Sequence, residues 1–463
     1  LNFLVFFPLV VVTFFLLKPI YRNMFLLLSS YYFYMNWQPV YAVLIMFSTI
    51  TTWMCGIYME KSTNQNTRKT YLVTSLIVNF SILFFYKYFN FLNQVIFDAL
   101  SYFDLRWEMV NLDVLLPVGI SFYTFQAIGY TIDIYRRDIK HEKNFINYSL
   151  FVSFFPQLVA GPIERAKNLL PQFREIKILN KENLYGGVKM MLWGYFLKLV
   201  LADRLGLYVD AVFNNIENHN GASVSLASIL FAFQIYGDFF GYSLIAIGAA
   251  KVMGFELMTN FMRPYFSLNI TSFWRRWHIS LSTWFKDYLY IPLGGNRCGK
   301  IRNNFNLFIT FFVSGIWHGA NYTFVIWGAL HGFYLILEKM LKVNSTAKNF
   351  GFKIFKIIIT FILVDFAWIF FRSNTINDAF LAINKIFTSI GSVPFLKADV
   401  LIGSSIALCI LFIKEFKDEY FSNRFNLISN KNAYISTLSF VLLFSLIILM
   451  GVFDSGQFIY FQF

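Results

Sequence analysis

An all-α polytopic membrane protein is the fold class this sequence predicts, and three observations carry it. Of 463 residues, 57% are hydrophobic and 21% aromatic, against roughly 45–50% apolar in an ordinary soluble domain. The apolar residues are gathered into runs of about 15 to 25, the length a helix needs to cross a bilayer. Between these runs no polar stretch is long enough to make a soluble domain of any size.

The charge pattern agrees. The formal net charge is +14, but excess Lys and Arg in a polytopic chain mark cytoplasmic loops, so nucleic acid is not implied. One cluster is denser than topology needs: Lys251 to Arg302 holds eight Lys or Arg against Glu256 and Asp287, a net +6, and is a candidate for an anionic ligand. Cys55, Cys298 and Cys409 have neither metal-site nor disulfide spacing and read as packing residues, so no metal is expected.

In chain order, Phe3 to Leu17 reads as a retained first helix with its N-terminus outside, because Lys18 and Arg22 follow it rather than precede it. Further spans fall at about 23–36, 40–59 and 70–89, with the basic loop 60–69 then cytoplasmic. Phe91 to Asp113 mixes acids with aromatics and suits an outer loop or a surface-lying helix. The run from Leu115 to Tyr135 carries Gln126 and Asp133, which need partners inside a bundle. Phe154 to Arg165 is broken by Pro156, Gly161 and Pro162 and reads as re-entrant, since irregular backbone at membrane depth must be buried in protein or line a cavity. Apolar runs follow at about 187–215, 223–255, 306–319, 320–340, 354–371, 400–414 and 434–453, giving about eleven crossings besides re-entrant and interfacial helices.

The chemistry concentrates between Phe273 and Gly332. Trp274, Trp277, Leu281, Trp284 and Tyr288 recur at helical spacing, while Arg275, His278, Ser282 and Lys286 follow the same spacing on a neighbouring face. This pattern predicts one helix from Ser272 to about Tyr288, lying at a membrane interface. His318 stands in an apolar run, where an ionisable group is costly and usually functional. A desolvated imidazole stays neutral and able to accept a proton; the alternative is a histidine hydrogen-bonded within the bundle. His278 sits on a separate element that can fold back against His318, in a site or in an interfacial hydrogen bond. His331 follows His318 by 13 residues, about 220° round and 20 Å along a continuous helix, so on that premise it is structural. His141 and His219 lie in polar loops and read as solvated.

The run Ser272-Phe273-Trp274-Arg275-Arg276-Trp277-His278, then Gly294-Gly295-Asn296-Arg297, then Trp317-His318-Gly319-Ala320 resembles the membrane-bound O-acyltransferase family. It is most similar to the bacterial branch that serves alginate O-acetylation, peptidoglycan O-acetylation and teichoic-acid D-alanylation. Pro117 to Gln126, Phe155 to Pro162 and Phe458 to Phe463 carry the resemblance across nearly the whole chain. Leu244, in Gly241-Tyr242-Ser243-Leu244, departs from the acidic residue of many alginate-type members.

The resemblance implies a single membrane domain over 1–463, with N-terminal helices (1–113), a catalytic core (114–340) around a central tunnel, and C-terminal helices (341–463). It implies His318 as the family's tunnel histidine and His278 as the second histidine of the bacterial branch. The donor would be acetyl-CoA or another cytoplasmic acyl thioester, with no permanently bound cofactor. Arg275, Arg276, Lys286 and Arg297 would hold its phosphates, and Trp317, Gln126 and Asp238 would line the site. Expected partners are membrane lipid, a glycan acceptor and an extracytoplasmic hydrolase-like (SGNH-type) protein, in the bacterial cytoplasmic membrane. D-alanyl transfer to teichoic acid is the nearest alternative reading. A transporter or flippase is another, for which Gln126 and Asp238 rather than His318 would be indispensable.

Overall fold

The computed structural model describes all residues except 1, 106, 110, 159–160, 348, 390, 392–397, 422–432 and 454–463. The C-terminal motif Phe458 to Phe463 and Val159-Ala160 of the broken segment therefore lie outside the described residues. The chain is 77% helical and has no strand among the described residues. Among the described residues, four helices are long and apolar enough to cross a bilayer: Tyr41–Lys61, Gln65–Tyr102, Gly221–Val252 and Phe350–Arg372. Two shorter apolar helices, Phe3–Leu16 and Tyr434–Met450, accompany them. The polytopic helical class holds, while the number eleven is not confirmed. The chain forms two compact units, residues 1–188 with 246–258, and residues 189–245 with 259–463.

In the first unit, the helix Tyr41–Lys61 buries Ile45, Ser48, Thr49, Thr52, Cys55, Gly56 and Met59, one stripe at intervals of three and four. Small and hydroxylic residues dominate it because apolar burial gives little drive between helices already surrounded by apolar material. Ser48 donates to Asn79 at 2.5 Å, and Thr52 shares a hydrogen bond with Tyr148 at 2.6 Å. The segment expected as an outer loop or surface helix is instead half helix: a π-turn over Phe84–Tyr88 carries the preceding helix on through Phe89–Tyr102. His141, expected in a solvated loop, is paired with Glu60 at 2.7 Å.

The break near Pro156 explains Gln126. Phe155 N–H, which a continuing helix would give to the Phe151 carbonyl, goes to Ser30 Oγ at 3.1 Å. The released Phe151 carbonyl accepts from Gln126 Nε2 at 3.0 Å and Gln157 Nε2 at 2.8 Å. Two side-chain amides thus satisfy a backbone group that irregular structure would leave bare. Gly119 enters the next helix at φ 72°, where a Cβ would run into the Leu158 carbonyl.

In the second unit, Lys300–His318 and Tyr322–Met340 form a helical hairpin across a three-residue turn. Gly315 and Gly328 face each other at its centre, and a Cβ on Gly315 would lie 3.0 Å from Gly328 Cα. Asn321 caps the second helix by accepting from Thr323 N–H at 3.0 Å. The turn before the hairpin runs through Gly294 (φ 113°) and Gly295 (φ 53°), conformations that favour glycine. The Gly295 carbonyl there accepts from Asn303 at 2.8 Å.

Candidate active site

The continuous interfacial helix expected over 272–288 is not what forms. Ile270–Trp274 is one short helix, Ile279–Phe285 another, and Lys286–Tyr290 a π-turn. The break falls on His278, whose φ 41° and ψ 55° are left-handed. Such a conformation is strained for a non-glycine residue and persists only where the surroundings impose it. They do so through Asn260. Its carbonyl accepts from Ile279 N–H at 2.9 Å, its Oδ1 accepts from Ser280 Oγ at 2.6 Å, and its Nδ2 donates to Ser243 Oγ at 2.9 Å. Periodicity missed the bend because Asn260 is eighteen positions away.

The bend carries His278 into the core, fully buried, with its ring 4.5 Å from Phe239 and 6.3 Å from Trp317. His318, 4% exposed, ends its helix beside Trp317 at 5.0 Å, Trp327 at 4.9 Å and Phe371 at 5.3 Å. Both histidines therefore stand near the Trp317 ring, the earlier element having folded back toward the hairpin.

His331 is the second correction. His318 and His331 sit on opposite arms of the hairpin, not on one helix, so their rise along a common axis does not separate them. Trp327 stands between them, 4.9 Å from His318 and 5.0 Å from His331.

The basic residues expected to act together are dispersed. Arg275 is exposed and lines a cavity of about 400 Å³ with Lys339, Lys342 and Glu338. Arg276 is engaged with Glu419 at 3.0 Å, as is Arg263 at 2.7 Å. Burial of Glu419 disfavours its charge, but the bonds and charges of these two arginines outweigh it and hold the carboxyl below its usual range. Lys286 is exposed beside Asp287 at 3.6 Å, and Arg297 is exposed on the glycine turn; neither lines the cavity. Lys339 and Lys342, which lie outside the Lys251 to Arg302 cluster, are the cations that join Arg275. Asp238 pairs with Lys198 at 2.7 Å, and Lys198 also holds Asp203 at 2.6 Å, so its charge is matched inside a packed helix pair rather than offered to a passing solute.

A helical membrane protein with paired buried histidines in an aromatic cage, and a basic cavity on the same unit, is the class this geometry defines. The chain belongs to the membrane-bound O-acyltransferase family, whose model matches residues 136–377. It is an acyltransferase. It is 40% identical over 360 residues to the probable alginate O-acetylase AlgI of Pseudomonas syringae pathovar tomato, covering 78% of this chain and 68% of that one. It is 35% identical over 393 residues to the peptidoglycan O-acetyltransferase of Helicobacter pylori, covering 78% and 73%. A teichoic acid D-alanyltransferase of Streptococcus thermophilus is more distant, 30% identical over 256 residues and covering 51% and 61%.

Proposed function

We propose that this O-acyltransferase takes an acetyl group from a cytoplasmic thioester donor and passes it across the membrane toward a cell-envelope or secreted glycan. It does so in the bacterial cytoplasmic membrane, with an extracytoplasmic SGNH-hydrolase-like protein completing the transfer. The observation that carries the reading is the burial of His318 beside Trp317, with His278 buried near the same indole. Acetyl rather than D-alanyl is favoured because the relatives named as O-acetyl enzymes match more of the chain at higher identity.

In the step proposed, a hydroxyl oxygen attacks the thioester carbonyl and a ring nitrogen of His318 takes its proton. The carbon–sulfur bond breaks, and the proton leaves with the thiolate as thiol. A water-poor aromatic cage strengthens the electrostatics of that transfer and keeps water from hydrolysing the thioester. His278 and Trp317 position the acyl group. Arg275, with Lys339 and Lys342, meets the donor's phosphates through charge-assisted bonds; Arg276, Lys286 and Arg297 serve the surface and the Glu419 pair instead.

His318→Ala and His318→Gln are expected to abolish glycan O-acetylation in cells while leaving insertion and folding intact. Glycan acetate at the normal level in a folded His318→Ala protein overturns the assignment and favours transport of an intact solute.

A further inference from the structure

The donor reading leaves unexplained a ring that the hairpin buries completely. His331 is 0% exposed. Its Nδ1 lies 3.3 Å from Trp274 Nε1, and an indole N–H only donates. Nδ1 is therefore the acceptor, and the proton of the neutral ring is on Nε2. Among the described residues nothing pairs with that Nε2. A buried N–H without an acceptor is costly and rare in folded proteins.

The position of this donor gives it meaning. His331 and Glu338 are seven residues apart on one helix, nearly eclipsed on the same face and separated by about 10 Å along it. Glu338 lines the basic cavity, as does Arg275, the residue after Trp274. In the opposite direction, Trp327 on the same helix touches both His331 and His318. His331 thus stands on this helix between Glu338 of the cavity and Trp327, the residue that touches the histidine proposed to act on the acyl group.

We propose that His331 is a binding residue for the donor's arm, its Nε2–H donating to a carbonyl of an amide-bearing thiol arm of the pantetheine kind while Arg275, Lys339 and Lys342 hold the phosphates. This rests on the thioester reading above and names what recognises the stretch between phosphate and thioester. Free coenzyme and the prosthetic arm of a carrier protein share that chemistry.

The test uses the full chain in nanodiscs and calorimetric titration with acetyl-CoA, S-acetylpantetheine, 3′,5′-ADP and an acetylated carrier protein. His331→Phe is expected to weaken acetyl-CoA and S-acetylpantetheine about 5- to 10-fold, the loss of one neutral hydrogen bond, and to leave 3′,5′-ADP unchanged. His331→Gln, which keeps an N–H donor, recovers part of that loss. Arg275→Gln with Lys342→Gln gives the converse, weakening acetyl-CoA and 3′,5′-ADP but not S-acetylpantetheine. Tight binding of the acetylated carrier with no binding of 3′,5′-ADP assigns the arm to a carrier protein. Equal S-acetylpantetheine affinity in wild type and His331→Phe overturns the role of His331 alone. Failure of the wild type to bind any thioester overturns the donor reading with it. A measurement free of substitutions runs in parallel: with histidine-selective nitrogen labelling, the His331 Nε2–H proton resonance is expected to move downfield on adding S-acetylpantetheine. An unmoved resonance at saturation overturns the proposal.

Discussion

His278 and His318 arrive beside Trp317 by opposite means. His278 is delivered by irregular backbone, a left-handed residue between two short helices. His318 is delivered by regularity, the last residue of a nineteen-residue helix held in a hairpin. The first depends on a few directed hydrogen bonds from Asn260, the second on close backbone packing at Gly315 and Gly328. The lesson is that the two halves of this candidate site fail differently: loosened hydrogen bonds misplace a ring in a folded protein, whereas a blocked helix contact removes the fold that carries it.

The largest break in this comparison is expected at the hairpin. In Gly315→Val the new Cβ meets the Phe324 carbonyl and the Gly328 backbone, neither of which can yield as a flexible side chain would. A cost above about 3 kcal/mol is expected, at or beyond the upper end for overpacked cores. Little monodisperse protein should be recovered in detergent. Recovery of normally stable Gly315→Val would mean that the helices do not need this approach.

Asn260→Ala addresses the other half and should be milder for the fold. The loss of its buried side-chain bonds costs about 1–3 kcal/mol, while misplacement of the His278 ring by an ångström lowers turnover on the order of 100-fold. The expected result is a folded protein with a modest fall in melting temperature and a disproportionate loss of acetyl transfer. Equal percentage losses of stability and activity would tie His278 to packing alone.

The smallest effect is expected at the anchor of the same bend, where Arg263 and Arg276 meet Glu419. Glu419→Gln should cost about 1 kcal/mol or less, because the arginines are partly solvated. The folded carboxyl is held below its usual range, so its contribution is fully present above the unfolded value of about 4.3 and is lost as pH falls through the lower folded value. The melting-temperature gap between wild type and Glu419→Gln should be constant from pH 7 to 5 and close only on further acidification. A gap that narrows already near neutrality would contradict the pairing.

Much of the site was legible in the chain. The apolar runs, the break at Pro156 and the isolated imidazole of His318 are local signals, set by hydropathy, missing N–H groups and the cost of a polar ring among apolar neighbours. The bend at His278 was not legible, because the period of three and four persists through Trp274, Trp277, Leu281 and Trp284 while a distant asparagine takes the backbone groups. The grouping of basic residues misled for a related reason. Arg276 adjoins Arg275 in sequence, yet it turns to Glu419 while Arg275 faces the cavity.

By itself the sequence determined that this is a helical membrane protein with histidines in its apolar interior, since composition and run length leave no other way to satisfy the backbone. It also determined the family, through long motifs in order. Tertiary structure decided which partners those residues take: Gln126 on the Phe151 carbonyl, Asp238 on Lys198, Arg276 on Glu419, and His331 across an indole from His318. The physical reason is that hydrophobic burial is proportional to area and readable from a local run, whereas hydrogen bonds and ion pairs are short-ranged and directional. Their partners are chosen only when distant segments come within three ångströms.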